Sequence, residues 1–338
     1  MRIATYNVEW MTTLFDDAGA LLADDAWSGR HDVTRAQQVE ALEIVFTALD
    51  ADAVLVVEAP DGHRRRDGVA ALETFAGWAG IRARKALMGF VSQTQQEIAL
   101  LYDPDVLTVR HDPMGDETSP VPRFDGAFEI DLDIDAEPDR VVWSKPPLEL
   151  AVETAGGAAF RMIGVHAKSK APHGARGRAA IMRTAIANRR KQLAQCIWLR
   201  RRVEEHLAAG ESLIVLGDFN DGPGIDEYEK LFGRSGVEIV LGDEAAAPLW
   251  DPHAAQAMAR RIGAMPATAR FWQPKPAPGR WLSVLLDYIM VSADLRAKDP
   301  AWRIWHPFDD PGCYRVPELR EALLTGSDHF PVTLDIAF

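Results

Sequence analysis

A chain of 338 residues with 47% hydrophobic and 26% charged residues has the composition of a globular protein and is long enough for one large core or two small ones. No run approaches the roughly 20 consecutive apolar residues of a membrane span, and the two cysteines, Cys196 and Cys313, rule out a disulfide framework and a thiolate zinc site. A formal charge of -13 argues against a protein that coats nucleic acid by bulk electrostatics.

The N-terminal segment reads as a strand over Ile3 to Val8, with Asn7 at its polar end. It lacks the basic start, apolar stretch and cleavage site of a secretory leader, which makes the cytoplasm the default location, although a leader already removed would leave no trace. A helix is predicted from about Val33 to Leu49, where Val39, Leu42, Val45, Phe46 and Leu49 recur at helical spacing. The buried strand Ala53 to Val57 follows at once and ends in Glu58, a carboxylate of the kind that hard divalent cations prefer. Further strands are predicted at Ile98 to Tyr102, Leu148 to Glu153 and Phe160 to His166. After His166 come Lys168 and Lys170, so one strand end offers an imidazole and two ammonium groups to phosphoryl oxygens; a surface histidine beside solvated lysines is the plainer reading.

From Thr154 to Val203 there is no Asp or Glu among twelve Lys and Arg residues, and a helix is predicted from about Ala179 to Ala209 within that stretch. The cations form either a solvated face balanced by acidic neighbours or a surface that attracts an anionic substrate. The strand Ser212 to Leu216 then runs into Gly217-Asp218-Phe219-Asn220. An Asp at a rigid strand end can take a proton from water, and an Asn two residues on can orient that water; the same residues also read as a helix cap entering the turn Asp221-Gly222-Pro223-Gly224.

A helix is predicted around Ile225 to Phe232, a strand from Leu285 to Val291 interrupted by Asp287, and a last strand from Pro331 to Phe338. Before that last strand stand Asp328 and His329, and the buried Asp287 calls for a partner such as a histidine. The stretches 103–140 and 245–280 read as loops or insertions, and tryptophans in the later segments offer surfaces for packing or for stacking. Five strand ends finishing in groups of one chemical type point to metal-assisted phosphoester chemistry on one α/β domain spanning 1–338.

These segments, in this order, resemble the endonuclease/exonuclease/phosphatase superfamily, which includes deoxyribonuclease I, AP endonucleases, neutral sphingomyelinases and inositol polyphosphate 5-phosphatases. The resemblance is carried by Thr5-Tyr6-Asn7-Val8, Val56-Val57-Glu58, Val165-His166-Ala167-Lys168-Ser169, Gly217-Asp218-Phe219-Asn220, Asp287-Tyr288-Ile289 and Ser327-Asp328-His329-Phe330-Pro331. It implies a four-layered α/β sandwich, with two packed mixed sheets flanked by helices, and Mg2+ as cofactor with Mn2+ as a substitute. It implies Glu58, Asn7 and Asp328 at the metal, Asp218 and Asn220 at the attacking water, and His329 with Asp287, together with His166, at the scissile phosphate. His166 stands where AP endonucleases usually have Tyr, which disfavours that branch. Lys168, Lys170, Arg189 and Lys145 are the expected phosphate contacts, Lys145 replacing the commoner Arg of an Arg-Pro-Pro-Leu segment.

The implied activity is hydrolysis of a phosphodiester of DNA or RNA by in-line attack of water, with nucleic acid as the expected substrate. The alternative is a phosphatase or phosphodiesterase of small phosphorylated metabolites or phospholipid headgroups. A non-catalytic binding module would show loss of Glu58, Asp218, Asn220 or His329, and all four are present.

Overall fold

The computed structural model describes residues 1–116, 118–132, 139–172, 174–223, 233–242, 247–259, 265–273 and 278–338. Strand β1 (Arg2–Asn7), helix α1 (Arg35–Leu49) and strand β2 (Ala53–Ala59) open the chain. Helix α1 begins at a reciprocal cap in which Thr34 accepts from the Gln37 backbone while the Gln37 side chain accepts from the Thr34 backbone. Helix α2 (Gly68–Ala79) and strands β3 (Lys85–Met88), β4 (Glu97–Tyr102) and β5 (Leu107–His111) follow. The short pair β6 (Phe128–Ile130) and β7 (Asp139–Val141) precedes β8 (Leu148–Thr154), β9 (Ala159–His166), the long helix α3 (Arg178–Ala208) and β10 (Leu213–Asp218). The C-terminal part holds the hairpin β11 (Ala269–Gln273) and β12 (Arg280–Val284), then β13 (Asp287–Val291), β14 (Ala301–Ile304) and β15 (Val332–Asp335), with short helices between them.

Two mixed sheets form the centre. One has the strand order β14-β15-β1-β2-β4-β3, the other β13-β10-β9-β8-β5. Alternation along each strand assigns the side chains to layers. Ile3, Leu55 and Val57 from the first sheet meet Met162, Ile214, Leu216 and Ile289 from the second in a core between the sheets. On the outer face of the first sheet Val54 and Val56 pack with Val45, Phe46 and Phe75 of α1 and α2. On the outer face of the second, Leu213 and Val215 pack with Trp198, Leu199 and Val203 of α3. The result is a helix–sheet–sheet–helix sandwich. At Gly164 the sheets come so close that a Cβ would run into Leu55.

Several expectations need adjusting. Asp287 begins β13 rather than interrupting a strand, because Leu286 has already turned its carbonyl to the Phe219 amide. The last strand stops at Asp335, short of Phe338. Of the stretch 103–140, β5 is a member of the second sheet, and the stretch 245–280 supplies β11, the first strand of the β11–β12 hairpin. The helix expected at 225–232 lies outside the described residues. Helix α2 was not among the expected elements.

Candidate active site

Strand parity delivers most of the site. Inner-facing residues recur every second position, so Ile3 and Thr5 lead to Asn7, Met162 and Gly164 to His166, Ile214 and Leu216 to Asp218, and Asp287 leads into Ile289. Strands β1 and β2 run parallel, as do β9 and β10, which brings the C-terminal ends of each pair to one rim. Strand β13 is antiparallel to β10 and sets Asp287 opposite Asp218. Strand β15 is antiparallel to β1, with Val332 opposite Thr5, so Asp328 and His329 enter at the same rim. Glu58 breaks the parity. It sits at a register shift between Val57 and Ala59 with φ of 63°, a left-handed conformation that costs a non-glycine residue energy and turns its carboxylate toward the site.

Asp218 is held by three donors. The Asn220 backbone N–H donates to Oδ1 at 2.7 Å, and the side-chain amides of Asn220 and Asn7 donate to Oδ2 at 3.0 and 3.2 Å. Burial nevertheless dominates, and with the nearby Asp287 charge it pushes the Asp218 carboxyl up to about 7, while His329 and Lys145 act in the opposite direction. His329 Nδ1 lies 2.8 Å from Asp287 Oδ2. Burial opposes its charged form, but the charge and hydrogen bond of Asp287, with Asp218 and Asp328 nearby, lift it to about 10, so it is an imidazolium at neutral pH. Ser327 fixes this corner by donating to the Asn7 carbonyl and accepting from the His329 amide.

On the other side, Lys145 Nζ lies 2.8 Å from His166 Nε2 and 3.2 Å from Gln96 Oε1. Burial brings the Lys145 ammonium down to about 8 against the pull of Glu58 and Asp218, and burial with the Lys145 charge holds His166 well below its ordinary value. His166 is therefore neutral, and its Nε2 is the acceptor for Lys145. His166 Nε2 lies 3.6 Å from Asp218 Oδ2 and 4.0 Å from Glu58 Oε1, so the lysine, the histidine and both carboxylates share one space.

Two groups of ligands could face a cation. Asp218, Asp287 and His329 present atoms within 4.8 Å of one another, but His329 is charged and its Nδ1 is committed to Asp287. Glu58 is better suited: Oε2 accepts from the Trp10 amide at 3.0 Å, while Oε1 accepts no hydrogen bond among the described residues. The Asp328 carboxylate, 28% exposed and 3.9 Å from His329 Nε2, is also without a donor among them. These oxygen donors, set among more carboxylates than cations, fit a hard divalent ion.

A sequence profile described as the Endonuclease/Exonuclease/phosphatase family matches residues 4–329. The chain belongs to this family. Membership makes it a hydrolase of phosphoester bonds. No curated protein matches its sequence. Its fold is similar to that of an AP endonuclease from Archaeoglobus fulgidus, at 12% identity and a TM-score of 0.54 with both chains fully covered. It is similar also to an endonuclease/exonuclease/phosphatase family protein from Bacteroides thetaiotaomicron, at 14% identity and a TM-score of 0.51 over 100% of this chain and 97% of that one. The 3′ phosphatase NExo from Neisseria, bound to a product DNA hairpin, gives 15% identity and a TM-score of 0.50 with both chains fully covered.

Not every residue singled out from the sequence joins this endonuclease/exonuclease/phosphatase site. Arg189 is fully buried and pairs with Asp221 Oδ2 at 2.7 Å, and Lys170 pairs with Asp221 Oδ1 at 2.6 Å. They brace the turn after β10 instead of pointing into the cleft, because Asp221 is itself buried and requires them. Gln192 completes the brace by donating to the carbonyls of Lys168, Phe219 and Asn220. Among the described residues six of the twelve cations of the basic stretch are ion-paired: Arg161, Lys170, Arg189, Arg190, Arg200 and Arg202. Lys168 remains beside the site, close enough to depress Lys145 and Lys191. Residues that went unread include Gln96, which orients Lys145, and Glu9, whose carboxylate pairs with Arg30 and accepts the Asp328 amide at 3.0 Å. Glu9 lies two residues after Asn7, and only that proximity could have flagged it.

Proposed function

We propose that this family member is a metal-dependent nuclease that hydrolyses phosphodiester bonds of polynucleotide by in-line attack of water. The observation that carries the hydrolytic reading is the pairing of a carboxylate poised near neutrality, Asp218 held by Asn7 and Asn220, with an imidazolium held by Asp287 across the same rim. Asp218 takes the proton of the attacking water, and the Asn220 amide fixes that water's direction. His329, charged and anchored through Nδ1, presents Nε2–H to a phosphoryl oxygen. Lys145, oriented by His166 and Gln96, contacts another oxygen, with Lys168 adjacent. Glu58, Asn7 and Asp328 are the residues that would hold Mg2+ or Mn2+, which supplies Lewis-acid neutralisation of phosphoryl charge.

Two of the proteins with a similar fold, an AP endonuclease and a 3′ phosphatase bound to a DNA hairpin, support a polynucleotide substrate. A cavity of about 370 Å3 lies at the far end of the second sheet, lined by Thr108, Glu153 and Ser212 among others, and has none of the catalytic groups in its wall. The second reading, a small-phosphoester hydrolase, is favoured by one observation: the pairing of half of the basic stretch with carboxylates leaves a compact cationic corner at Lys145, Lys168 and Lys191. Incubation with Mg2+ or Mn2+ on plasmid, single-stranded DNA, RNA and a panel of small phosphoesters separates the two. Metal-dependent degradation of polymer that is lost in Asp218→Ala is expected; turnover confined to small esters would overturn the nuclease reading.

A further inference from the structure

The β11–β12 hairpin carries an exposed aromatic surface that the hydrolytic cluster does not use. Trp272 and Trp281 are opposite each other in register, their ring centroids 5.4 Å apart and edge to face. Each is 53% exposed, and Phe308 nearby is 43% exposed. The Arg270 guanidinium lies 4.3 Å from the Trp281 ring and 4.9 Å from the Phe308 ring. Arg270 pairs with no carboxylate among the described residues, in a chain whose formal charge is -13.

The hairpin is built onto the catalytic rim. Arg270 N–H donates to the Asp328 carbonyl at 2.8 Å, and Phe330 N–H donates to the Thr268 carbonyl at 2.6 Å. Ala269 bridges His329 in antiparallel fashion, which sets Arg270 opposite Asp328. The Thr268 hydroxyl accepts from the amides of Leu286 and Asp287, so the base of the hairpin also touches the strand that holds the partner of His329. Trp272 lies two residues beyond Arg270, roughly 7 Å further along the strand.

We propose that Arg270, Trp272, Trp281 and Phe308 form a stacking subsite for a nucleobase next to the scissile phosphate of a single-stranded polynucleotide. The inference rests on the nuclease reading and names the form of its substrate. Half-exposed indole rings offer flat faces to any base, and an unpaired guanidinium among them attracts the adjoining phosphate or stacks on the base. A cross-strand tryptophan pair with a guanidinium stacked on it stabilises a hairpin by itself, but that role does not require both rings to stay half exposed beside the rim. A lipid surface is the less suitable occupant, since the patch is joined to the rim through Asp328 and His329, where a base linked to a bound phosphate falls, and among the described residues it offers a single cation, Arg270, to anionic headgroups.

The test uses the full chain with a chelator present, so that binding is read without cleavage. Fluorescence anisotropy follows a short labelled oligothymidylate and the same backbone lacking bases. The wild type should bind the base-bearing strand at least about fivefold more tightly than the base-free one, the lower end of the effect of one stacked base. Trp272→Ala and Trp281→Ala should abolish that preference, and Trp281→Phe should retain most of it, while turnover of bis-p-nitrophenyl phosphate with Mg2+ stays within about twofold in all three. Equal binding of both strands by the wild type overturns the subsite, as does an unchanged preference in both alanine variants. Trp-dependent sedimentation with phosphatidylglycerol vesicles, without oligonucleotide preference, would also overturn it and assign the patch to a membrane. If base-dependent binding is found but no polynucleotide is cleaved with metal, the nuclease reading fails and the subsite stands.

Discussion

At the scale of single residues, the site depends on what each polar group does with its second partner. In the proposed mechanism Asp218 must be ionised to take a proton, so kcat/KM should fall as pH drops through about 7, and cation binding, which favours the carboxylate, moves that limb lower. Asp218→Ala and His329→Ala should each lower turnover by at least about 100-fold, the scale of a positioned acid or base. Near-normal rates in both variants would sink the assignment. Asp287 raises His329 through its charge and hydrogen bond, so Asp287→Asn should bring the His329 titration, followed by imidazole NMR, well below the value of about 10. An unmoved resonance would mean that Asp287 does not set the charge of His329. Arg189 illustrates the opposite case, a charge committed to structure. Arg189→Ala leaves Asp221 buried with a partner removed and should cost about 3–5 kcal/mol in urea unfolding. A loss of activity without loss of stability would return Arg189 to the substrate.

At the scale of elements, strand ends and their irregularities aim the chemistry. Gly217 has φ of 133°, and a Cβ there would collide with the carbonyl of Val165 on the neighbouring strand. This departure from regular strand geometry lies one residue before Asp218. Gly217→Ala should therefore lower both the unfolding midpoint and turnover, measured by urea titration and metal-dependent hydrolysis, with stability loss of at least about 1 kcal/mol. A variant with wild-type stability and rate would show that the backbone here relaxes freely. Glu58 and Asn220 also adopt positive φ, at 63° and 49°, as do Glu9 and Trp10, which bond Asp328 and Glu58, so five positive-φ positions surround one site. The adjacent Asp251 caps the short helix Pro252–Met258 and accepts from the Ile289 amide, tying that helix to β13.

At the scale of the molecule, protonation and cation binding act on the folded state as a whole. His253 is mostly buried without a hydrogen-bond partner for Nδ1, and burial brings it down to about 4. The folded state holds it neutral while the unfolded chain protonates near its ordinary value of 6.5. Its contribution is therefore complete above about pH 6.5 and is lost as pH falls toward 4, on the order of 3 kcal/mol. His253→Gln should flatten the fall in Tm over that window, and an identical slope would exclude His253 as a source of acid sensitivity. A divalent cation held by the folded rim and not by the unfolded chain raises Tm, so on the proposed reading Mg2+ should do so and Glu58→Gln should remove that rise.

What could be read from the chain alone were the features written in local pattern. Apolar runs that stop at Asn7, Glu58, His166 and Asp218 mark strands, and the alternation of side chains along a strand already determines that Asn7, His166 and Asp218 face inward. The order of those motifs carried the family and its four-layered sandwich, since each motif is local and their succession is unambiguous. Partner choice was left to the tertiary structure. Arg189 and Lys145 are both cations beside the active-site segments, yet one is spent on Asp221 and the other is aimed by His166 and Gln96. The left-handed turn of Glu58 and the pairing of Glu9 with Arg30 are equally invisible in composition. The physical reason is that period-two patterning is a property of one strand, whereas burial, ion pairing and the resulting proton affinities depend on side chains brought together from distant parts of the sequence by sheet register and layer packing.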